Sequence, residues 1–240
     1  MSAKWAMTGL IVSVLVIVPI AVALAQPQAA ACATISYRGL DEVAPGIFAS
    51  SDVTPGQKLD FVRLHVAAKR RIADTFGATR ASPVIVIGST QALRHLFPDS
   101  SSYAATIYVP YRSCVIVGPK GHDVDILAHE ELHAEVHHRV GHWHRLAQIP
   151  TWFDEGLAMQ VDNRERYIWS LEFGDVDSGS VKRWTSRAQF FTGDDAELTR
   201  HYAMAKEEVR LWLQKLGHGN LYDFLERIRR GDGFVERYEE

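Results

Sequence analysis

Between residues 124 and 140 the chain carries two lines of residues that an α-helix alone would gather onto faces. Val124, Ala128, Leu132, Val136 and Val140 recur every four positions, and His129, His133 and His137 form a second line one residue further round. That spacing predicts a helix over 123–140, with an apolar stripe that packs into a core and a row of imidazoles beside it. The centre of the stretch reads ILAHEELHAEV, residues 126 to 136.

The flanking sequence supplies what such a helix can pack against. A loop rich in Gly, Pro and Ser runs through Pro55-Gly56, after which apolar residues at 59, 62, 66, 73 and 76 recur at helical spacing and stop at Gly77. PVIVIG, residues 83–88, reads as a short buried strand, and Gln91 to Phe97 as a short helix. ATIYVP and SCVIVGP, separated by Pro110-Tyr111-Arg112, read as a hairpin. Downstream, a helix opens at Pro150-Thr151 with Thr151 and Asp154 spaced as a capping box. Tyr202, Ala205, Val209, Trp212 and Leu216 mark another helix, and NLYDFLERIRRGDGFVERY gives a capped helix and a short terminal one. The expected class is α+β: a small mixed sheet lobe over 26–145 that includes the histidine helix, and a helical lobe over 146–240.

Composition narrows what such a domain can do. With 240 residues, 47% hydrophobic and 23% charged, the chain is long enough for one domain or two lobes sharing a cleft, and is not disordered in character. A net charge of -3 leaves no electrostatic footprint for nucleic acid. Phosphate-binding glycine loops, repeats and sustained heptads are absent, so function has to come from a local site.

The first 25 residues read as an export signal. Lys4 precedes an apolar run from Trp5 to Ala25 that ends in Ala23-Leu24-Ala25, an A-x-A pattern, before Gln26-Pro27. Either 1–25 is a cleaved signal peptide, which Pro19 and the A-x-A ending favour, or residues 5–25 remain as a membrane anchor. Both place the domain outside the cytoplasm, in a periplasm or the extracellular space. Cys32 and Cys114 are the two cysteines. In an oxidising compartment they can form a disulfide; two free buried thiols, or lipidation of Cys32, are the alternatives.

Within the histidine helix, His129-Glu130-x-x-His133 has the spacing that metal chemistry needs. Two histidines four apart lie about 6 Å from each other on one helix face, so both rings can reach one Zn²⁺ at about 2.1 Å. Glu130 can reach a water beside that ion without ligating it, which makes it the candidate general base for attack on a carbonyl. A catalytic zinc normally takes three protein ligands. Glu155, in IPTWFDEGLAMQ, falls in the first turn or so of the next helix, where small Gly156 and Ala158 permit close approach of the two helices. His137 cannot join His129 on one ion, because eight residues separate them by about 12 Å along the axis. His137 with His133 stays geometrically open.

HEELH followed by PTWFDEGLA resembles the gluzincin zinc metallopeptidases, in particular the small bacterial peptidase MA-like proteins. The resemblance implies a zincin-like fold with a cleft between the lobes, one Zn²⁺ held by His129, His133 and Glu155, and hydrolysis of a peptide or protein substrate. The helix bearing Tyr202 is similar to the one that follows the zinc ligands in these peptidases, which implies Tyr202 as oxyanion donor; its periodicity alone would make it a core residue, and His201 is the other candidate. Where some gluzincins carry an acid four residues after the glutamate ligand, this chain has Met159. Asp125 is then a candidate support for a ligand histidine or, more simply, a charge at a helix N-terminus. Asp154 reads as a helix cap, Glu131 and Glu135 as exposed, and His138, His142 and His144 as solvated. The metzincin pattern fails, since Val136 and Arg139 stand where it needs glycine and histidine. One of the two hairpin strands would offer an edge to an extended peptide, residues 163–198 would wall the cleft, and no aminopeptidase signature is visible, which leaves endopeptidase action as the expectation. The competing class is a non-catalytic, zinc-containing binding module at the cell envelope.

Overall fold

A computed structural model describes residues 26–98, 100–167 and 177–240. The export signal or anchor expected over 1–25 lies outside these, as does part of the segment expected to wall the cleft. No helix among the described residues is long and apolar enough to cross a membrane.

Five strands make one mixed sheet: β1 (Asp41–Ala44), β2 (Ile47–Ala49), β3 (Val84–Ile87), β4 (Ala104–Val109) and β5 (Arg112–Val117), in the order β1-β2-β3-β5-β4. The inner pairs β2/β3 and β3/β5 are parallel, and the outer pairs β1/β2 and β4/β5 are antiparallel. All four residues of β3 are buried, as a strand covered on both faces requires. Ile85, Ile87, Val115 and Val117 join the larger core. Val84, Val86, Cys114 and Ile116 enter a smaller core with Ala31, Cys32, Leu93 and Phe97. Helices therefore sandwich the sheet: α1 (Pro27–Ala33) and α3 (Thr90–Leu96) on the smaller-core side, α2 (Pro55–Phe76) and α4 (Val124–Val140) on the other.

The expected elements from α2 to the hairpin are present. α2 begins with a capping box between Thr54 and Gln57 and stops at Gly77, whose φ of 96° is open to glycine at little cost. The region before it differs from expectation, because it holds α1, β1 and β2 where a loop is predicted. β1 carries exposed Asp41 and Glu42 and β2 has three residues, too few to show a period. Cys32 and Cys114 form a disulfide with Cα atoms 5.9 Å apart, which ties α1 to β5.

After α4 comes α5 (His142–Gln148), a short helix where a loop is expected. It is followed by α6 (Thr151–Ala158), α7 (Arg187–Phe190), α8 (Asp195–Leu216), α9 (Leu221–Arg229) and α10 (Phe234–Glu239). The larger core runs without a break from Ile47 and Ile85 through Leu132 to Phe153, Val209, Trp212 and Phe234. α6 and α8 meet at Gly156, where an added Cβ would stand 2.5 Å from Ala205 O and 2.6 Å from Val209 Cγ2. Gly156→Ala is expected to lower stability by about 1–3 kcal/mol, the usual cost of overpacking. Urea unfolding measures this; an unchanged midpoint would mean that the two helices separate freely.

Candidate metal centre

α4 is capped by Asp123, whose carboxylate accepts from the amides of Asp125 and Ile126, and it is stopped by Gly141 at φ 83°. Its apolar stripe is buried from Ala128 to Val140 and half-buried at Val124, so the adjoining histidine line is carried into the interior toward α6. His129, His133 and Glu155 are all buried and can offer one ligand atom each to a single metal ion. The Nε2 atoms of the histidines are 3.1 Å apart, and Glu155 Oε2 is 3.4 Å from that of His129 and 3.5 Å from that of His133. Bonds of about 2.0–2.1 Å at tetrahedral angles put neighbouring ligand atoms about 3.3 Å apart, so the set fits a four-coordinate ion. Among the described residues Glu155 Oε2 is buried without a hydrogen-bond donor, a state that buried oxygens rarely tolerate unless a water or an ion completes them.

Charges in the site depend on one another. Burial favours the neutral form of Glu155, yet His133 and His129 outweigh it and hold the carboxyl well below its usual range. Burial likewise opposes a charged His133, and the Asp154 and Glu155 carboxylates override it, raising the imidazole well above its ordinary value. Carboxylates thus draw positive charge into this pocket, whether protons or a metal cation.

Glu130 is half-buried beside the ligands, and its Oε2 accepts a 2.7 Å hydrogen bond from Thr106 Oγ1. Thr106 lies on β4, an edge strand of the sheet, so the carboxylate stands between the ligand helix and that edge. The Tyr202 ring is 6.2 Å from that of His129, with Tyr167, Phe190 and Phe191 around it. Burial, together with the negative charge of Glu155, lifts its hydroxyl well above the ordinary tyrosine value. The phenol therefore keeps its proton and remains a donor. His201 turns away, with Nδ1 2.7 Å from Phe190 O and its ring on Trp184.

Several flanking residues depart from expectation. The Thr151–Asp154 capping box does not form: Pro150 is the N-cap and makes no side-chain cap. Asp154 is instead buried, accepts from Arg145 Nη2, and stands 3.2 Å from His133 Nδ1. Charged partners in the interior outbid a lone backbone amide for its carboxylate. Asp125 does not support a ligand histidine, since it accepts from Arg71 and from the Asn163 amide. Asp162, which nothing in the helical reading singled out, lies 3.7 Å from His129 Nδ1 and is gripped by Arg164 at 2.5–3.0 Å. Beyond Ala158 the chain tightens into i to i+3 turns, with Asp162 N bonded to Met159 O. At three residues per turn Asp162 comes under Met159, which returns an acid to the face where position 159 has none.

Glu131 and Glu135 are buried, not exposed. Glu131 pairs with His65 at 2.8 Å, and Glu135 accepts from the amides of Arg80 and Ala81 and from Arg139 Nε. The helix is surrounded on nearly every side, so even its polar faces meet partners. His137 does not bind alongside His133: its Nδ1 is 2.9 Å from Ser113 Oγ and its Nε2 3.3 Å from His142 Nδ1. His142 is accordingly half-buried and bonded, not solvated.

Burial, followed by the nearby Arg145 charge, pushes the His137 pKa down from 6.5 to about 4. Between those values the unfolded chain takes up a proton that the folded one refuses, so stability falls as pH drops through this window and is untouched above it. Unfolding at about pH 7 and about pH 5 should show a decline that His137→Gln flattens. An equal decline in the variant would assign the effect elsewhere.

Compared with protein-family models, curated proteins and solved structures, the chain has no match.

Proposed function

We propose that this chain is an exported, zinc-dependent peptidase of the gluzincin type, with zincin-like architecture and His129, His133 and Glu155 as its metal ligands. The observation that carries the reading is the meeting of two Nε2 atoms with the orphaned Glu155 Oε2 at tetrahedral spacing. Two imidazoles and one carboxylate suit zinc, whereas Mg²⁺ and Ca²⁺ prefer oxygen ligands throughout.

Zinc in such a site supplies Lewis acidity toward a carbonyl oxygen and toward water. Glu130 takes the proton of the attacking water and returns it to the leaving amine, its carboxylate held in place by Thr106. Tyr202, kept protonated by its surroundings, donates to the oxygen on which negative charge develops. An extended substrate adds to β4, an edge strand of the sheet among the described residues, by main-chain pairing. Because Thr106 belongs to that strand, a peptide paired there passes the general base, which favours cleavage within a chain. Export is supported by the signal-like sequence of residues 1–25 and by the Cys32–Cys114 disulfide.

The test is incubation of the zinc-loaded protein with a diverse peptide library and mapping of new termini by mass spectrometry. Internal cleavages that disappear on chelation are expected. Zinc bound without any cleavage would move the assignment to a binding module that holds a peptide segment uncut.

A further inference from the structure

Resting on the zinc reading, we propose that Asp154 and Asp162 are positioning residues that fix the tautomers of His133 and His129, each carboxylate being braced by an arginine outside the ligand set. The two arrangements are parallel. His133 Nδ1 faces Asp154 Oδ2 at 3.2 Å, and Arg145 holds that carboxylate. His129 Nδ1 faces Asp162 Oδ2 at 3.7 Å, and Arg164 holds that one. Among the described residues neither Nδ1 atom makes a hydrogen bond of good angular geometry, although each is buried, and Asp154 Oδ1 is a buried acceptor without a donor.

A neutral imidazole that offers Nε2 to a metal must carry its proton on Nδ1. A buried Nδ1–H needs an acceptor, and at each histidine a buried carboxylate is in place. The closer pair is already at hydrogen-bond length, and the other reaches it by movement of about 0.5–1 Å. Without these acceptors either ring could turn its N–H toward the ion.

The arginines make this arrangement sustainable. Asp154 and Asp162 are buried carboxylates, a placement that needs compensation, and a guanidinium on each supplies it. Arg145 is itself fixed, with its guanidinium 3.6 Å above the Tyr108 ring.

The experiment measures zinc affinity by chelator competition, without substrate, alongside the melting temperature of the zinc-free protein. Removing one partner alone strands a charge, so the variants remove pairs: Asp154→Leu with Arg145→Met, and Asp162→Leu with Arg164→Met. Apolar replacement of a whole buried ion pair is commonly neutral for stability. Each pair is expected to keep the zinc-free melting temperature and weaken zinc binding about 10–100-fold. Asp154→Asn with Arg145→Met retains a carbonyl acceptor and should fall between. Wild-type affinity in both leucine pairs would overturn the proposal and leave the carboxylates as counter-ions of the arginines. A wild-type protein that binds no zinc would instead overturn the reading beneath it.

Discussion

Glu130→Gln is expected to lower peptide turnover by about 10²–10⁴-fold, the range that general base catalysis supplies, while zinc affinity stays at the wild-type value. The amide matches the carboxylate in size and can still take the hydrogen bond from Thr106 Oγ1, so the local structure has no reason to change. What it loses is the capacity to accept a proton from water. Steady-state rates together with zinc content on the same preparation check this. A variant that turns over peptides like the wild type would remove Glu130 from the mechanism, whatever happens to the metal.

His133→Ala carries the second large effect, and it reaches stability as well as chemistry. Loss of one of three ligands should weaken zinc by more than the about 10–100-fold that a supporting group costs, and activity should go with it. The side chain also lies between Asp154 and Glu155, at 3.2 and 3.5 Å. Deleting it leaves Glu155 with His129 and Asp154 with Arg145 as their remaining partners, so compensation of the buried carboxylates is reduced and stability falls. Differential scanning calorimetry of the zinc-free variant should therefore show a lower melting temperature. Zinc titration should show no tight binding, and stoichiometric zinc in the variant would argue that the ion sits elsewhere.

The candidate metal cluster was legible in sequence because its histidine pair is local. A four-residue step on a helix places His129 and His133 on one face, whereas Gly156, expected to admit the histidine helix, instead faces Ala205 and Val209 of α8. β3 and the β4–β5 hairpin followed from short apolar runs parted by turn residues, but the parallel pairing of β3 with β5 did not. Legibility failed where tertiary charge pairing overrides local preference. Asp154 has the position of a helix cap, yet Arg145 and His133 claim it from outside the helix. Asp162 is out of phase with a 3.6-residue period and reaches His129 only because the chain tightens after Ala158. Glu131 and Glu135 look like a polar face; Arg139 is a local i,i+4 partner of Glu135, but nothing local announces that His65 and the amides of Arg80 and Ala81 cover the two carboxylates. β1 and β2 are too short for periodicity to register, and β1 opens on exposed Asp41 and Glu42.

X-ray absorption at the zinc edge, on protein loaded with one equivalent, tests the central claim most directly. The account predicts a four-coordinate ion with two imidazole nitrogens and oxygen donors at about 2.0–2.1 Å, with the imidazole signature reduced in His133→Ala. A six-coordinate, oxygen-only shell, or a zinc signal unaltered by that substitution, would contradict it.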